Sequence, residues 1–548
     1  MTAQIGNTKL IAQFQADGLH WMFGNPGTVE QGFLDAADKA SGFSYVLALQ
    51  ETVAAGIADG YARATAGAAL LQLHSGVGLG NGIGMLYQSL RGHTPLVVLA
   101  GDAGVRYDAM DAQMASDLVA MARPVTKYAT RVTDPASVLR VIRRAVKIAL
   151  TPPRGPVFVA LPMDVLDTVN LEPVLPSSVP RTDTAPAPDA VARAADLLAG
   201  ARNPLILVGD GVALAGAQGE LVALAELWGA PVWGVDSSEV NIPAGHPLAQ
   251  GQTGHMFGEH SAALVQDADA VLIVGTYVFP EVFPHLASPF RPGARIVHID
   301  LNAYEIAKNF PVDLGLAADP KAALAALAPA LSQRLSPGRH RQAAGRLADA
   351  RAARHQQRAQ LAARDHDATA LTAFLNALAQ QTDGDLVVFD EALTCSPEVT
   401  AYLPPERPGD YFATRGGSLG VGIPGAIGAK LARPTRTVVG FTGDGGAMYT
   451  YQALWTAARY DIAAKFVVCN NHKYRLLDDN IEQYWRERDI DPHAFPASFD
   501  LSHPAIDFAA LAQSLGVEAL RVDKPEAAAG AVEQMLAHNG PFLVDLHV

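Results

Sequence analysis

Residues 437–471, TVVGFTGDGGAMYTYQALWTAARYDIAAKFVVCNN, decide the fold. The stretch opens with an apolar run and turns at Gly443-Asp444-Gly445. It continues with helix-forming residues and closes in a second apolar run that ends at Asn470-Asn471. Apolar runs without polar alternation are what strands buried on both faces look like. Strand, helix and strand in that order make a parallel α/β unit. Its ends carry specific chemistry. Asp444 and the Asn470-Asn471 pair stand at the carboxyl ends of neighbouring strands, where open α/β sheets bind their ligands. A carboxylate and a carboxamide are hard oxygen ligands that suit Mg²⁺ or Ca²⁺, and Mg²⁺ completes its shell with phosphate oxygens and water. The glycines beside them let backbone N–H groups approach a diphosphate. Gly209-Asp210-Gly211 also follows an apolar run, but no Asn pair lies at the matching distance, so it reads as a turn.

The same signal recurs along the chain: LVVLAG (96–101), PVFVALP (156–162), LILVGDG (205–211), AVLIVG (270–275), RIVHID (295–300) and LVVFDE (386–391). Each is followed by a turn and a helical pattern, so the fold class is α/β with three doubly wound parallel-sheet domains. Residues 173–190 carry five prolines with Ser and Thr and read as a linker. Residues 331–369, rich in Ala, Arg, Gln and His, read as a helical connector on the surface. The expected domains are 1–180, 190–330 and 370–548, with the connector at 331–369. No repeat of 20–50 residues is visible, which argues against a solenoid.

Composition excludes several classes. Of 548 residues 18% are charged, against a usual share of about 25%, so much of the surface is expected to be covered by other protein. A net charge of −14 without a Lys/Arg run argues against a nucleic-acid partner. No uninterrupted apolar stretch is long enough for a membrane span. The opening MTAQIGNTKL has no basic or apolar leader pattern. Two cysteines, Cys395 and Cys469, are too few for a disulfide framework. A cytoplasmic setting is the expectation.

The pair Gly443-Asp444-Gly445 and Asn470-Asn471 resembles the cofactor motif of thiamine diphosphate enzymes. The resemblance implies Mg²⁺ held by the side chains of Asp444 and Asn471 and the carbonyl of Lys473. It places Gly445, Gly446 and Tyr474 at the cofactor. It also implies a glutamate that hydrogen-bonds the pyrimidine N1′ of the cofactor. Glu51 fits, between the apolar YVLALQ (45–50) and a helical pattern of small residues. In Gly416-Gly417-Ser418-Leu419-Gly420, Leu419 would wedge beneath the cofactor, and the Gly417 carbonyl would accept from its 4′ amino group. Thr394 would donate to the diphosphate, and Asn81 would lie near the diphosphate or pyrimidine end. In this family the glutamate and the metal motif come from different subunits, so the resemblance implies an obligatory homodimer, and a homotetramer as a dimer of dimers. The glycine-rich loop Gly76–Gly84 yields GxGxxG in no phase, which removes a nicotinamide site.

Phe23-Gly24-Asn25-Pro26-Gly27-Thr28, Ala48-Leu49-Gln50-Glu51, Leu73-His74-Ser75-Gly76 and Ala453-Leu454-Trp455-Thr456-Ala457-Ala458 resemble the benzoylformate decarboxylase branch. That likeness implies non-oxidative decarboxylation of a small 2-oxo acid to an aldehyde and CO₂. His74 would be an acid/base beside the reacting carbon. Thr28 would stand for a serine that contacts the substrate carboxylate. The place of a second catalytic histidine holds Val282, and His285, three residues on, is the candidate replacement. At the mouth, Leu476 and Leu477 offer an apolar wall, while Arg475 and Asp478 to Asn480 make it more polar. Asp300, ending RIVHID, would suit a nucleotide ribose or a strand-end cap. A carboligase or lyase of the acyloin, benzaldehyde-lyase or 2-hydroxyacyl-CoA type shares the same residues, and so stays open. A non-catalytic regulatory member is the remaining alternative.

Overall fold

A computed structural model describes residues 4–382 and 384–548. It contains three six-stranded sheets. The first is built from β1 (Trp21–Gly24), β2 (Ser44–Leu47), β3 (Ala69–Leu73), β4 (Leu96–Asp102), β5 (Tyr128–Arg131) and β6 (Val157–Pro162). Its order is β2-β1-β3-β4-β6-β5, all parallel. The second is built from β7 (Pro204–Val208), β8 (Val232–Gly234), β9 (Ala249–Gln252), β10 (Ala270–Val274), β11 (Arg295–Asp300) and β12 (Leu314–Ala317), in the order β9-β8-β7-β10-β11-β12. The third is built from β13 (Leu386–Glu391), β14 (Tyr411–Ala413), β15 (Thr437–Gly443), β16 (Lys465–Asn470), β17 (Glu518–Val522) and β18 (Phe542–His547), in the order β14-β13-β15-β16-β18-β17. First and third sheets therefore share one winding, a correspondence of whole domains that no short sequence repeat reveals. Every residue of β4, β6, β13 and β16 is buried, as unalternating apolar runs require.

The chain forms two compact units, one of residues 1–180, 366–402 and 414–548, the other of 181–365 and 403–413. The first unit carries β1–β6, β13 and β15–β18. In it, helix α1 (Glu51–Thr65) begins four residues after β2, so the strand is shorter than YVLALQ suggests. The Gln50 side chain caps α1, accepting from the Thr52 N–H at 2.5 Å and the Val53 N–H at 3.3 Å. The Gly76–Gly84 stretch is not a loop but part of helix α2 (Ser75–Arg91). Gly78 serves close packing: a Cβ there would come within 2.6 Å of Glu51 Oε1.

Helix α1 packs against α3 (Gly422–Ala432) almost backbone to backbone. A Cβ on Gly60 would lie 2.1 Å from the Gly425 carbonyl oxygen, and one on Gly428 would lie 2.1 Å from that of Ile57. Small residues on both helices are thus what join the first and third sheets into one unit.

The second unit carries β7–β12 in the doubly wound order associated with dinucleotide binding. At its switch point, between β7 and β10, the two loops close on each other. Gly209 N–H donates to the Val274 carbonyl at 3.1 Å and Gly211 N–H to that of Gly275 at 3.0 Å. Asp210 is a turn-maker, accepting from the Ser238 N–H at 2.9 Å, the Ser238 hydroxyl at 2.6 Å and the Glu239 N–H at 3.0 Å. Asp300 is buried at the end of β11, where burial raises its carboxyl to about 7 against a bond from the Asn302 N–H at 2.7 Å. The connector region contains a 26-residue helix, Pro337–Ala362, most of it exposed. Both cysteines are free and buried. Among the described residues no helix is long and apolar enough to cross a membrane.

Candidate functional site

Pairing of Gly443 with Cys469 sets the ends of β15 and β16 side by side. Asp444 opens helix α4 (Asp444–Thr450) and is only 4% exposed. Its Oδ1 accepts from the Gly445 N–H at 2.7 Å and its Oδ2 from the Lys473 N–H at 3.2 Å. Asn471 Oδ1 accepts from the same Lys473 N–H at 3.0 Å. A left-handed His472 (φ 57°) turns the chain so that this amide points back between the two side chains. Carboxylate and carboxamide oxygens thereby converge. Of the two asparagines only Asn471 takes part, because Asn470 Nδ2 donates to Asp545 Oδ1 at 3.0 Å. Burial pushes the Asp444 carboxyl above the usual range, opposed by the N–H groups of Gly445, Lys473 and His472. A cation would remove that strain on a buried carboxylate, and the donor set is the hard oxygen type that Mg²⁺ takes. The Lys473 carbonyl accepts from the Arg475 N–H at 2.9 Å and keeps a second lone pair. A Cβ on Gly445 would strike the Tyr474 ring at 2.2 Å, and one on Gly446 would lie 3.0 Å from Thr442 Oγ1. Only glycine fits under that ring. The residues present fit a metal-bound diphosphate.

The loop bearing Gly417 and Leu419 has an anchor that the sequence reading missed. Gly416, Gly417 and Gly420 all have positive φ, at 71°, 76° and 92°. The fully buried Glu391 holds them: its carboxylate accepts from the N–H groups of Gly420 and Gly422, the latter at 2.6 Å, and from the Thr442 hydroxyl at 3.1 Å. Ser418 ties the loop to α2 by donating to the Gly84 carbonyl at 2.7 Å. Gly417 is exposed and Leu419 half-buried. Thr394 sits half-buried in a single turn, Leu393–Cys395, after β13. The clue to Glu391 was an acidic residue ending an apolar strand, which must find donors when buried.

Glu391 yields a pH prediction. Burial raises its carboxyl to about 7, outweighing the three donors. An unfolded glutamate titrates near 4.3, so between about 4.5 and 7 the folded chain binds the extra proton. Its contribution to stability is complete below that window and is lost as pH rises through it. Glu391→Gln, neutral throughout, should show a flatter unfolding free energy between pH 5 and 7, by up to about 1.4 kcal/mol per pH unit. Denaturant melts of both proteins at four pH values measure the difference, and parallel curves would refute it.

On the first sheet, Glu51 is the first residue of α1 and 6% exposed. Asn81, exposed on α2, donates from Nδ2 to Glu51 Oε2 at 3.0 Å. His74 sits between β3 and α2, with Nδ1 2.9 Å from Glu30 Oε2. Glu30 Oε1 accepts from the Gly101 N–H at 2.9 Å. Burial pushes the Glu30 carboxyl up, and His74 pulls it back. Gly27 is required here, since a Cβ would lie 1.7 Å from His74 Nδ1. The same loop carries Thr28, exposed, and is tied to β2 by Asn25 Nδ2 donating to the Ala48 carbonyl at 2.7 Å. Glu30 escaped the sequence reading although it stands two residues beyond Thr28; its partners come from two other strands.

One expectation changes. Asp478 does not line a polar mouth: it is buried in helix α5 (Arg475–Glu487) and pairs with Lys473 Nζ at 2.6 Å. Leu477 on that helix is 38% exposed. The loop after β10 is held in register by Val282 N–H to the His255 carbonyl (3.2 Å) and Phe283 N–H to that of Met256 (2.8 Å). His285 therefore stays three residues beyond Val282, exposed in the second unit, its Nδ1 3.4 Å from the Ala287 carbonyl. Beside Val282, Glu281 is buried, with neither carboxylate oxygen bonded among the described residues.

Comparison with known proteins agrees with this geometry. Residues 6–121 match the N-terminal TPP binding domain of thiamine pyrophosphate enzymes, 191–327 their central domain and 393–546 their C-terminal TPP binding domain. The chain is 31% identical to a benzoylformate decarboxylase of Pseudomonas aeruginosa, over 96% of each chain. It is 28% identical to the acetolactate synthase isozyme 3 large subunit of Escherichia coli, over 95% of this chain and 90% of that one. The solved 4-hydroxybenzoylformate decarboxylase of Rhodococcus jostii superposes with a TM-score of 0.86 at 27% identity, covering 100% of this chain and 99% of that one. This chain belongs to the thiamine pyrophosphate enzyme family.

Proposed function

We propose that the protein decarboxylates a 2-oxo acid without oxidation, releasing CO₂ and an aldehyde, with thiamine diphosphate and Mg²⁺. The observation that carries this reading is His74, fixed by Glu30 and Gly27 beside Thr28 in the unit that also holds Glu51 and the Asp444–Asn471 pair. Likeness to benzoylformate and 4-hydroxybenzoylformate decarboxylases supports it. When bound, the cofactor supplies a nucleophilic carbon and an electron sink. Asp444, Asn471 and the Lys473 carbonyl would hold Mg²⁺. Gly445, Gly446, Thr394 and Tyr474 would seat the diphosphate end. Leu419 would support the cofactor from below, and the Gly417 carbonyl would accept from its amino group. Glu51, oriented by Asn81, would hold the proton at the pyrimidine. With Nδ1 committed to Glu30, His74 presents Nε2 for proton transfer at the substrate. The Thr28 hydroxyl would bind the substrate carboxylate, and His285 is the candidate for the second histidine. The active form would be a homodimer, or a homotetramer built from two.

Acetolactate synthases stand at similar identity, which keeps carboligation as a second reading. A panel of pyruvate, branched-chain 2-oxo acids, phenylpyruvate and benzoylformate tests both. We expect aldehyde equal to the CO₂ released from at least one acid. CO₂ with a hydroxyketone instead of aldehyde would support the carboligase, and silence with cofactor bound would overturn the decarboxylase and point to a carboligase or lyase acting on another substrate.

A further inference from the structure

A small cavity of about 20 Å³ lies beneath Glu30, walled by Glu30, Gln72 and Gly101 together with Val29, Leu99 and other apolar residues. Gln72 sits on β3, two residues before His74, and is 1% exposed. Its Oε1 accepts from the Tyr45 hydroxyl at 2.5 Å. Its Nε2 is buried and has no partner among the described residues. Turning the amide over gives no relief, because the carbonyl would then be the unbonded end. A buried, unbonded amide N–H is costly. The cavity has room for one water and no more, since one water needs about 10–15 Å³. A water there would have two partners: it would accept from Gln72 Nε2 and donate to Glu30, whose oxygens each keep a lone pair beyond Gly101 and His74.

We propose that this cavity holds one ordered water, through which Gln72 acts as a positioning residue for His74. The inference rests on the reading of His74 as the proton-transferring group. The water's donation to Glu30 opposes the burial that disfavours its charge. An ionised Glu30 in turn keeps the proton on His74 Nδ1 and leaves Nε2 facing the substrate. Tyr45, itself raised well above its usual range by burial, bonds Gln72, and the charges that act on Tyr45 are those of Glu30, Tyr460 and Glu51.

The test combines a high-resolution crystal structure of the cofactor-loaded enzyme with pH profiles of kcat/KM. We expect one water within hydrogen-bond distance of Gln72 Nε2 and Glu30, absent from Gln72→Leu. The ionisation that disappears in His74→Ala should move down by about half a pH unit or more in Gln72→Leu. Tyr45→Phe, which frees the Gln72 carbonyl, should move it in the same direction by less, and serves if Gln72→Leu does not fold. An empty cavity in the wild type, or an unmoved ionisation in the folded variants, overturns the proposal. A pH profile unchanged by His74→Ala would overturn the reading of His74 instead, while the crystal would still decide the water.

Discussion

Glu51→Gln leaves the protein folded and able to bind thiamine diphosphate, and lowers turnover by about 10² to 10⁴-fold. The substitution keeps side-chain length and shape in a place with no spare room: a Cβ on Gly78 would lie 2.6 Å from Glu51 Oε1. The carboxamide oxygen can still accept from Asn81 Nδ2, now 3.0 Å from Glu51 Oε2. Packing and orientation survive, and only the ability to take and return a proton is lost. Cofactor titration by tryptophan fluorescence, beside steady-state kinetics, separates the two. Full activity in the variant would remove Glu51 from the mechanism.

Asp444→Ala is the complementary case, with cofactor retention lost and folding kept. It removes the one charged oxygen ligand of the proposed metal set, so the affinity for Mg²⁺ with thiamine diphosphate should fall on the order of 10²-fold or more. The apo-protein should be no less stable than wild type, because the carboxyl it loses is one that burial disfavours in its charged form. Ligand-induced stabilisation reads this directly: cofactor at 100 times its Kd adds about 2.7 kcal/mol to the wild type and should add almost nothing to the variant. A variant that keeps the full thermal shift would show that Asp444 holds no metal.

The chemistry of these two residues was legible in the chain itself. An Asp after one unalternating apolar run and an Asn after the next need no tertiary information to be read as a hard-ligand pair, since parallel strands bring their carboxyl ends to one edge. Glu51 was reached through the resemblance, which implies a glutamate, and its place between a strand signal and a helix of small residues fits that. The three α/β sheets follow from the same runs of Val, Ile and Leu.

What tertiary structure alone decided are the partners of those residues. Glu391 binds amides at 420 and 422 and a hydroxyl at 442, and Glu30 joins residues 74 and 101. Asn470, beside the Asn471 that the resemblance names, is taken up by Asp545 across the sheet. Asp478 is buried, where it pairs with Lys473 just before its helix. The Gly76–Gly84 stretch lies in a helix, and in it Gly78 leaves room for Glu51, which a Cβ would approach to 2.6 Å. Period and residue type are properties of a segment and can be read along it. A buried carboxylate must be satisfied by whatever donors the fold brings to it, and for Glu391 and Glu30 those donors lie 29 to 71 residues away in the chain.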